Sequence, residues 1–185
     1  MKRAQTVLVV GSGISGLLHI KLAKSNGAKR VIATDITDFR LKAAIKAGAD
    51  VAINAGEYTV DKLRAANSGA LADLVIICAS AQSAFEQGLR SVERGGTALI
   101  FSAAGKDALL PVPVNDIFWR SEVTVMSTYA GSPHDHVESM EKIRSRKVGV
   151  YDMITHRFPL KDAVAGFRLV AQARESVKVI IEPQK

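Results

Sequence analysis

Thr6-Val7-Leu8-Val9-Val10-Gly11-Ser12-Gly13-Ile14-Ser15-Gly16 sets the architecture of the chain. The first five residues are a strand-sized, mostly apolar and β-branched run, suited to burial on both faces of a parallel sheet. A G-x-G-x-x-G turn follows at once, and residues 14–25 then read as a helix. Gly11 permits the tight turn, Gly13 leaves room for a pyrophosphate, and Gly16 lets the helix lie close to the strand. The helix N-terminus offers free N–H groups and a partial positive charge to phosphate oxygens. Glycine-rich turns also serve purely structural ends, so the motif needs support from elsewhere in the chain.

That support comes at a fixed offset. Residues 30–35 are the next strand, and Asp35 ends it 24 residues after Gly11. A carboxylate there accepts hydrogen bonds from an adenosine ribose and repels the 2′-phosphate of NADP, which points to NAD. Arg40 reads either as a ligand of the ribose or adenine edge, or as an ordinary exposed charge in a first helical turn.

Strands and helices continue to alternate. A helix is expected over 38–47, with Asp38 as its N-cap and Gly48 as its stop. Then come a strand at 50–54, a helix at 59–67 and a central strand at 73–78. A helix over 83–94, a Gly95-Gly96 turn and a strand over 97–102 complete the regular part. This rhythm predicts an α/β fold, a doubly wound parallel sheet of Rossmann type with helices on both faces and right-handed crossovers. After Gly105 the pattern changes: a short helix at 115–119, a strand at 122–126 and a helix at 134–146 follow Pro111-Val112-Pro113. Strand, helix and strand at 153–158, 160–173 and 177–181 close the chain. The division is a dinucleotide-binding domain over 1–150 and a C-terminal strand–helix–strand extension over 151–185.

Composition excludes several function classes. Of 185 residues 48% are apolar, enough for a buried core, so disorder is out. No apolar run approaches the ~20 residues of a membrane span, and the N-terminus has no signal-peptide cleavage pattern. The single cysteine, Cys78, can form no internal disulfide and suits a reducing cytoplasm. The formal charge is +7, concentrated from Lys142 to Lys185, where ten Lys and Arg stand against four Asp and Glu. With only 5% aromatics there is no stacking platform for nucleic acid, and this tail reads as a solvated face or a surface for an acidic partner.

Val7 to Gly16, Val31 to Asp35, Arg40-Leu41, Ala47 to Asp50, Gly95 to Thr97 and Ile154 to Leu160 together resemble the medium-chain dehydrogenase/reductase family, the zinc-dependent alcohol and polyol dehydrogenases. The sorbitol- and threonine-dehydrogenase-like branches are the most similar, and the resemblance runs to about Pro183. It implies the NAD(H)-binding portion of such an enzyme, holding the nicotinamide for hydride transfer to or from an alcohol or ketone. Gly11, Ser12, Gly13, Ile14, Ser15 and Gly16 would hold the pyrophosphate, and Asp35 with Arg40 the ribose. Cys78, Ala79 and Ser80 would pass the adenine side and the nicotinamide ribose. Phe101, Ser102 and Ala103 would offer backbone groups to the carboxamide. Lys178 reads equally as a base that reaches a cofactor phosphate and as an edge-strand charge. Glu122 to Ala130 resembles the strand through which many members pair, implying a homodimer.

In the family the zinc ligands and proton relay lie in a GroES-like lobe upstream of the first nucleotide-binding strand. This chain starts just before that strand, so the resemblance implies a cofactor half that is inactive alone, with zinc belonging to the missing lobe. The alternatives are a stand-alone NAD(H)-responsive binding or regulatory protein, and a subunit of a split dehydrogenase with a separate catalytic-lobe chain. No catalytic or metal residue is expected here. His134 and His136 would point about 200° apart on a helix, His19 reads as a packing or surface residue, and Cys78 has no evident base.

Overall fold

Alternate residues of a strand face opposite sides of its sheet, and in this chain both sides are apolar. The computed structural model describes residues 5–172 and 174–184. The first strand, β1 (Thr6–Val10), pairs in parallel with β2 (Arg30–Asp35) on one side and β4 (Ala72–Ile77) on the other. With β3 (Val51–Asn54), β5 (Val92–Ile100) and β6 (Thr124–Ser127) they make a six-stranded parallel sheet in the order β3-β2-β1-β4-β5-β6.

Val7, Val9, Val31 and Ala33 pack against Leu17 and Ile20 of α1 (Ile14–Ser25) and Ala44 of α2 (Asp38–Ala47). Leu8, Val10, Ile32 and Ile77 pack on the other face against Leu63 of α3 (Val60–Ala66) and Phe85 and Leu89 of α4 (Gln82–Arg90). Each of these Val, Leu, Ile and Phe side chains contributes about 1.5–3 kcal/mol by leaving water. Two apolar faces therefore require two helical layers, and the doubly wound sheet follows. The strand order reverses between β1 and β4, which opens a crevice at their carboxyl ends.

The helix expected over 83–94 is shorter, ending at Arg90, and β5 begins at Val92 instead of Thr97. The Ser91 hydroxyl donates to the Gln87 carbonyl at 2.5 Å and lies 2.7 Å from the Tyr58 hydroxyl, closing the helix. Val92 is buried opposite Ala72, yet Thr97 stands opposite Leu74, so residues 93–96 form a bulge within one strand. Gly95 takes φ +69° there, and a Cβ on Gly96 would come within 2.7 Å of the Glu93 carbonyl oxygen. The glycine pair thus serves a bulge instead of a turn between elements.

Residues 115–119 are a single wide helical turn in which the Arg120 N–H donates to the Asn115 carbonyl at 2.7 Å. Glu122 has φ +52°, outside strand geometry, so β6 starts at Thr124. After α5 (Pro133–Arg144) come β7 (Ile154–Pro159), α6 (Ala163–Gln172) and β8 (Lys178–Glu182). β7 and β8 pair in parallel as a separate two-stranded sheet, with Gly166 of α6 set close against Phe158, Val179 and Ile181. Residue 173, expected to end that helix, lies outside the described residues. Among the described residues no helix is long and apolar enough to cross a membrane.

Candidate cofactor site

The glycine turn crosses the carboxyl end of β1. Gly11 leaves the strand at φ +91°, and its N–H donates to the Thr34 carbonyl at 2.9 Å. A Cβ on Gly16 would fall on the Gly11 carbonyl oxygen, so only glycine lets α1 lie against the turn. Gly13 differs from both. A Cβ there would meet nothing within 4 Å, and the space before the α1 N-terminus stays open. No side chain caps that terminus and no acidic residue stands in its first turn. The N–H groups at the start of α1, which helical geometry leaves without intrahelical partners, face this opening.

Asp35, 6% exposed at the end of β2, organises the turn. Its Oδ2 accepts the Ser12 N–H at 2.8 Å. Its Oδ1 accepts the Thr37 N–H at 3.1 Å and the Thr37 hydroxyl at 3.2 Å. Ser12 itself is turned inward, fully buried, with its hydroxyl donating to the Thr34 carbonyl. The Arg40 guanidinium lies 3.8 Å from Asp35, while its Nε is buried without a hydrogen-bond partner among the described residues. An unpaired buried donor costs about 1–3 kcal/mol, which a ligand oxygen at this wall would offset.

Three cavities adjoin the crevice. One of about 600 Å³ is lined by Gly11, Asp35, Ile36, Tyr58, Gln87 and Arg90 among others, and lies within the size range of small-molecule sites. A smaller one of about 210 Å³ lies between Gly13, Ile14, Ser15, Arg40 and Cys78 and is closed by Val170, Ser176 and Val177 of the extension. A third, about 450 Å³, is lined by Ser80, Phe101, Ser102 and Ala103 together with Ser127 at the end of β6 and Thr128 and Tyr129 just beyond it. Ala79 walls the first cavity and Arg40 both of the first two. Lys178 is exposed at the start of β8 and is not among the residues lining these cavities. A chain of phosphate-sized and nucleoside-sized spaces around free helix N–H groups fits a dinucleotide.

Some lining residues escaped the sequence reading. Ser83, Glu86, Gln87 and Arg90 of the first cavity recur at helical spacing, a polar stripe opposite the buried Phe85 and Leu89. That stripe was legible. Tyr58, Thr128 and Tyr129 sit in loops at no fixed offset from the glycines, as does Thr37, which binds Asp35 and lines none of the three cavities.

Behind the turn, His19 Nδ1 lies 2.8 Å from the Ser15 carbonyl oxygen and 3.6 Å from Cys78 Sγ, with its ring edge-on to Phe101. Burial pushes the Cys78 thiol up to about 12, so it stays protonated at neutral pH. Burial also pulls the His19 pKa below its usual 6.5, against the opposing Ser15 bond. The unfolded chain therefore takes up the proton first as pH falls. The His19 contribution to stability is complete above about pH 6.5 and declines below it. Urea midpoints between about pH 7 and pH 5 should fall less steeply in His19→Gln than in the parent; parallel pH profiles would contradict this.

Among the described residues no three His, Cys, Asp or Glu side chains gather as a metal site. Asp135, between His134 and His136, closes a capping box with Ser132 at the start of α5, and those hydrogen bonds hold its carboxyl below the usual range. The described residues thus present no donor set for zinc.

Residues 15–145 match the family model described as zinc-binding dehydrogenase. The chain belongs to this family. The erythritol/L-threitol dehydrogenase of Mycolicibacterium smegmatis is 34% identical over 179 residues, covering 96% of this chain and 49% of that protein. An alcohol dehydrogenase from Thermotoga maritima superposes with a TM-score of 0.87 at 27% identity, over 97% of this chain and 51% of that one. A zinc-binding dehydrogenase assigned from Sinorhizobium meliloti 1021, solved bound to NADP, gives a TM-score of 0.87 at 25% identity, over 98% and 53%. The chain spans about half the length of the relatives it matches. It corresponds to about half of a medium-chain, zinc-dependent alcohol or polyol dehydrogenase, as the sequence motifs implied.

Proposed function

We propose that this chain binds NAD(H) as the cofactor half of a zinc-dependent alcohol or polyol dehydrogenase. The observation that carries the reading is Asp35: buried, fixed by Ser12 and Thr37, and walling the cavity where the adenosine ribose would lie. Its carboxylate would accept the ribose hydroxyls and repel a 2′-phosphate, in contrast to the relative solved with NADP. Gly13 to Ser15 and the orphaned Arg40 Nε would hold the pyrophosphate. Ser80 and Phe101 to Ala103 would orient the nicotinamide, which when bound exchanges hydride with an alcohol or ketone carbon.

Residues 1–150 form the dinucleotide-binding domain in this reading, and 151–185 an extension that meets a catalytic lobe. Val164, Phe167 and Val170 of α6 support such a contact, being 52–72% exposed on one helix. β6 is an edge strand that carries the exposed Met126 and is followed by the exposed Tyr129, which supports pairing of two copies into a homodimer. The cytoplasm is the compartment that suits an unpaired cysteine.

The test is calorimetric titration of the metal-free chain with NADH and NADPH, with its mass followed by light scattering. Saturable binding that favours NADH by about tenfold or more is expected, in a dimer. A folded chain that binds neither nucleotide overturns the cofactor reading, and a monomer overturns the pairing alone.

A further inference from the structure

A fourth cavity, of about 360 Å³, lies away from the glycine turn between α1, α2 and the extension. Its floor is apolar: Leu17 of α1, Phe39 and Ala43 of α2, and Met153 and Val177 of the extension. Leu17 and Met153 are almost fully buried, whereas Phe39 shows 37% of its surface. Around this floor stand Lys21, Lys42 and Lys46 and a single carboxylate, Asp152. Asp152 is already engaged, both its oxygens held by Lys21 at 2.9 and 3.1 Å. Lys42 and Lys46 are exposed, and their ammonium groups make no ion pair or hydrogen bond among the described residues. They are four apart on α2 and so lie one above the other on one face of the helix.

Two free ammonium groups beside an apolar floor define a ligand with one anionic end and one greasy end. We propose that this cavity is a second small-molecule site, and that it takes an amphiphilic carboxylate: an anionic head between Lys42 and Lys46, and a short aliphatic tail against Leu17, Phe39, Met153 and Val177. A bare phosphate would leave the floor unused, and a neutral apolar ligand would leave the lysines unmatched. The site shares one residue, Val177, with the small cavity at the glycine turn. It does not rest on the cofactor reading, since Lys42 and Lys46 line none of the cavities assigned to the dinucleotide.

Octanoate is a suitable probe, with octan-1-ol as the same tail without charge and inorganic phosphate as charge without a tail. NMR titration of the whole chain, followed at the methyl groups of Met153 and Val177, should show saturable octanoate binding. Octan-1-ol should bind at least about tenfold more weakly, and phosphate should leave those methyl signals in place. In the double variant Lys42→Glu/Lys46→Glu octanoate affinity should fall about tenfold or more. Both residues are exposed, so the fold should be retained, and the unchanged methyl spectrum of the unliganded variant checks that. The proposal is overturned by no octanoate binding at millimolar concentration, by equal binding of octanol, or by equal binding to the folded double variant.

Discussion

Asp35→Ala is expected to lose saturable NADH binding and to cost the chain about 3 kcal/mol of stability. The carboxylate receives three hydrogen bonds, from the Ser12 N–H, the Thr37 N–H and the Thr37 hydroxyl. Thr37 is partly exposed and regains water when the acceptor goes; Ser12 is fully buried and does not. Its N–H is then left unpaired beside Arg40, which loses its nearby anion as well. The binding loss has a separate cause, because the ribose hydroxyls lose their acceptor. Two further variants separate the two effects. Asp35→Asn retains one acceptor oxygen, so it should keep more of the stability yet bind NADH about tenfold more weakly. Asp35→Ser removes the negative charge and leaves Arg40 free, so NADPH affinity should rise relative to NADH. Denaturant midpoints and nucleotide titrations on the three proteins check this. Parent-like NADH binding by Asp35→Ala would remove the ribose from this wall.

Much of this arrangement was legible in eleven residues and one aspartate, for a physical reason. Strand burial, tight turning and close helix approach are local demands, and each restricts residue type at a fixed spacing. Val7 to Val10 allow no polar side chain, and Gly11 and Gly16 allow no Cβ. Asp35 was legible because the parallel pairing of β1 with β2 brings its position beside Ser12. Gly95 and Gly96 misled because a bulge and an inter-element turn both require glycine, and only the pairing of Val92 with Ala72 tells them apart. The residues closing the small cavity, Val170, Ser176 and Val177, were out of reach, since they arrive from the far end of the chain. A basic residue at Lys178 could be foreseen as a candidate; its exposed position on β8 depends on how the extension packs. Nothing in the sequence of α2 singles out Lys42 and Lys46, because Met153 and Val177, which line the same cavity, come from more than a hundred residues further along the chain.

The three glycines of the turn should respond to alanine in opposite ways, which separates a structural turn from a phosphate site. Gly16→Ala places a methyl group on the Gly11 carbonyl oxygen, backbone that cannot move unless α1 leaves the sheet. A loss above about 4 kcal/mol is expected, enough to unfold a domain of ordinary stability. Gly11→Ala meets both an unfavourable φ of +91° and the Ala79 side chain, and should also destabilise strongly. Gly13→Ala has no such conflict, since its φ is −70° and its Cβ would enter empty space. Its melting curve should stay within about 1 kcal/mol of the parent. That empty space is where the pyrophosphate would approach the backbone, so NADH affinity should nevertheless fall by at least about tenfold. A stable Gly13→Ala protein that binds NADH normally would make the turn a packing device and remove the phosphate site from the proposed function. A stable Gly16→Ala protein would instead contradict the close contact of α1 with the turn, on which the placement of every N–H group in the site depends.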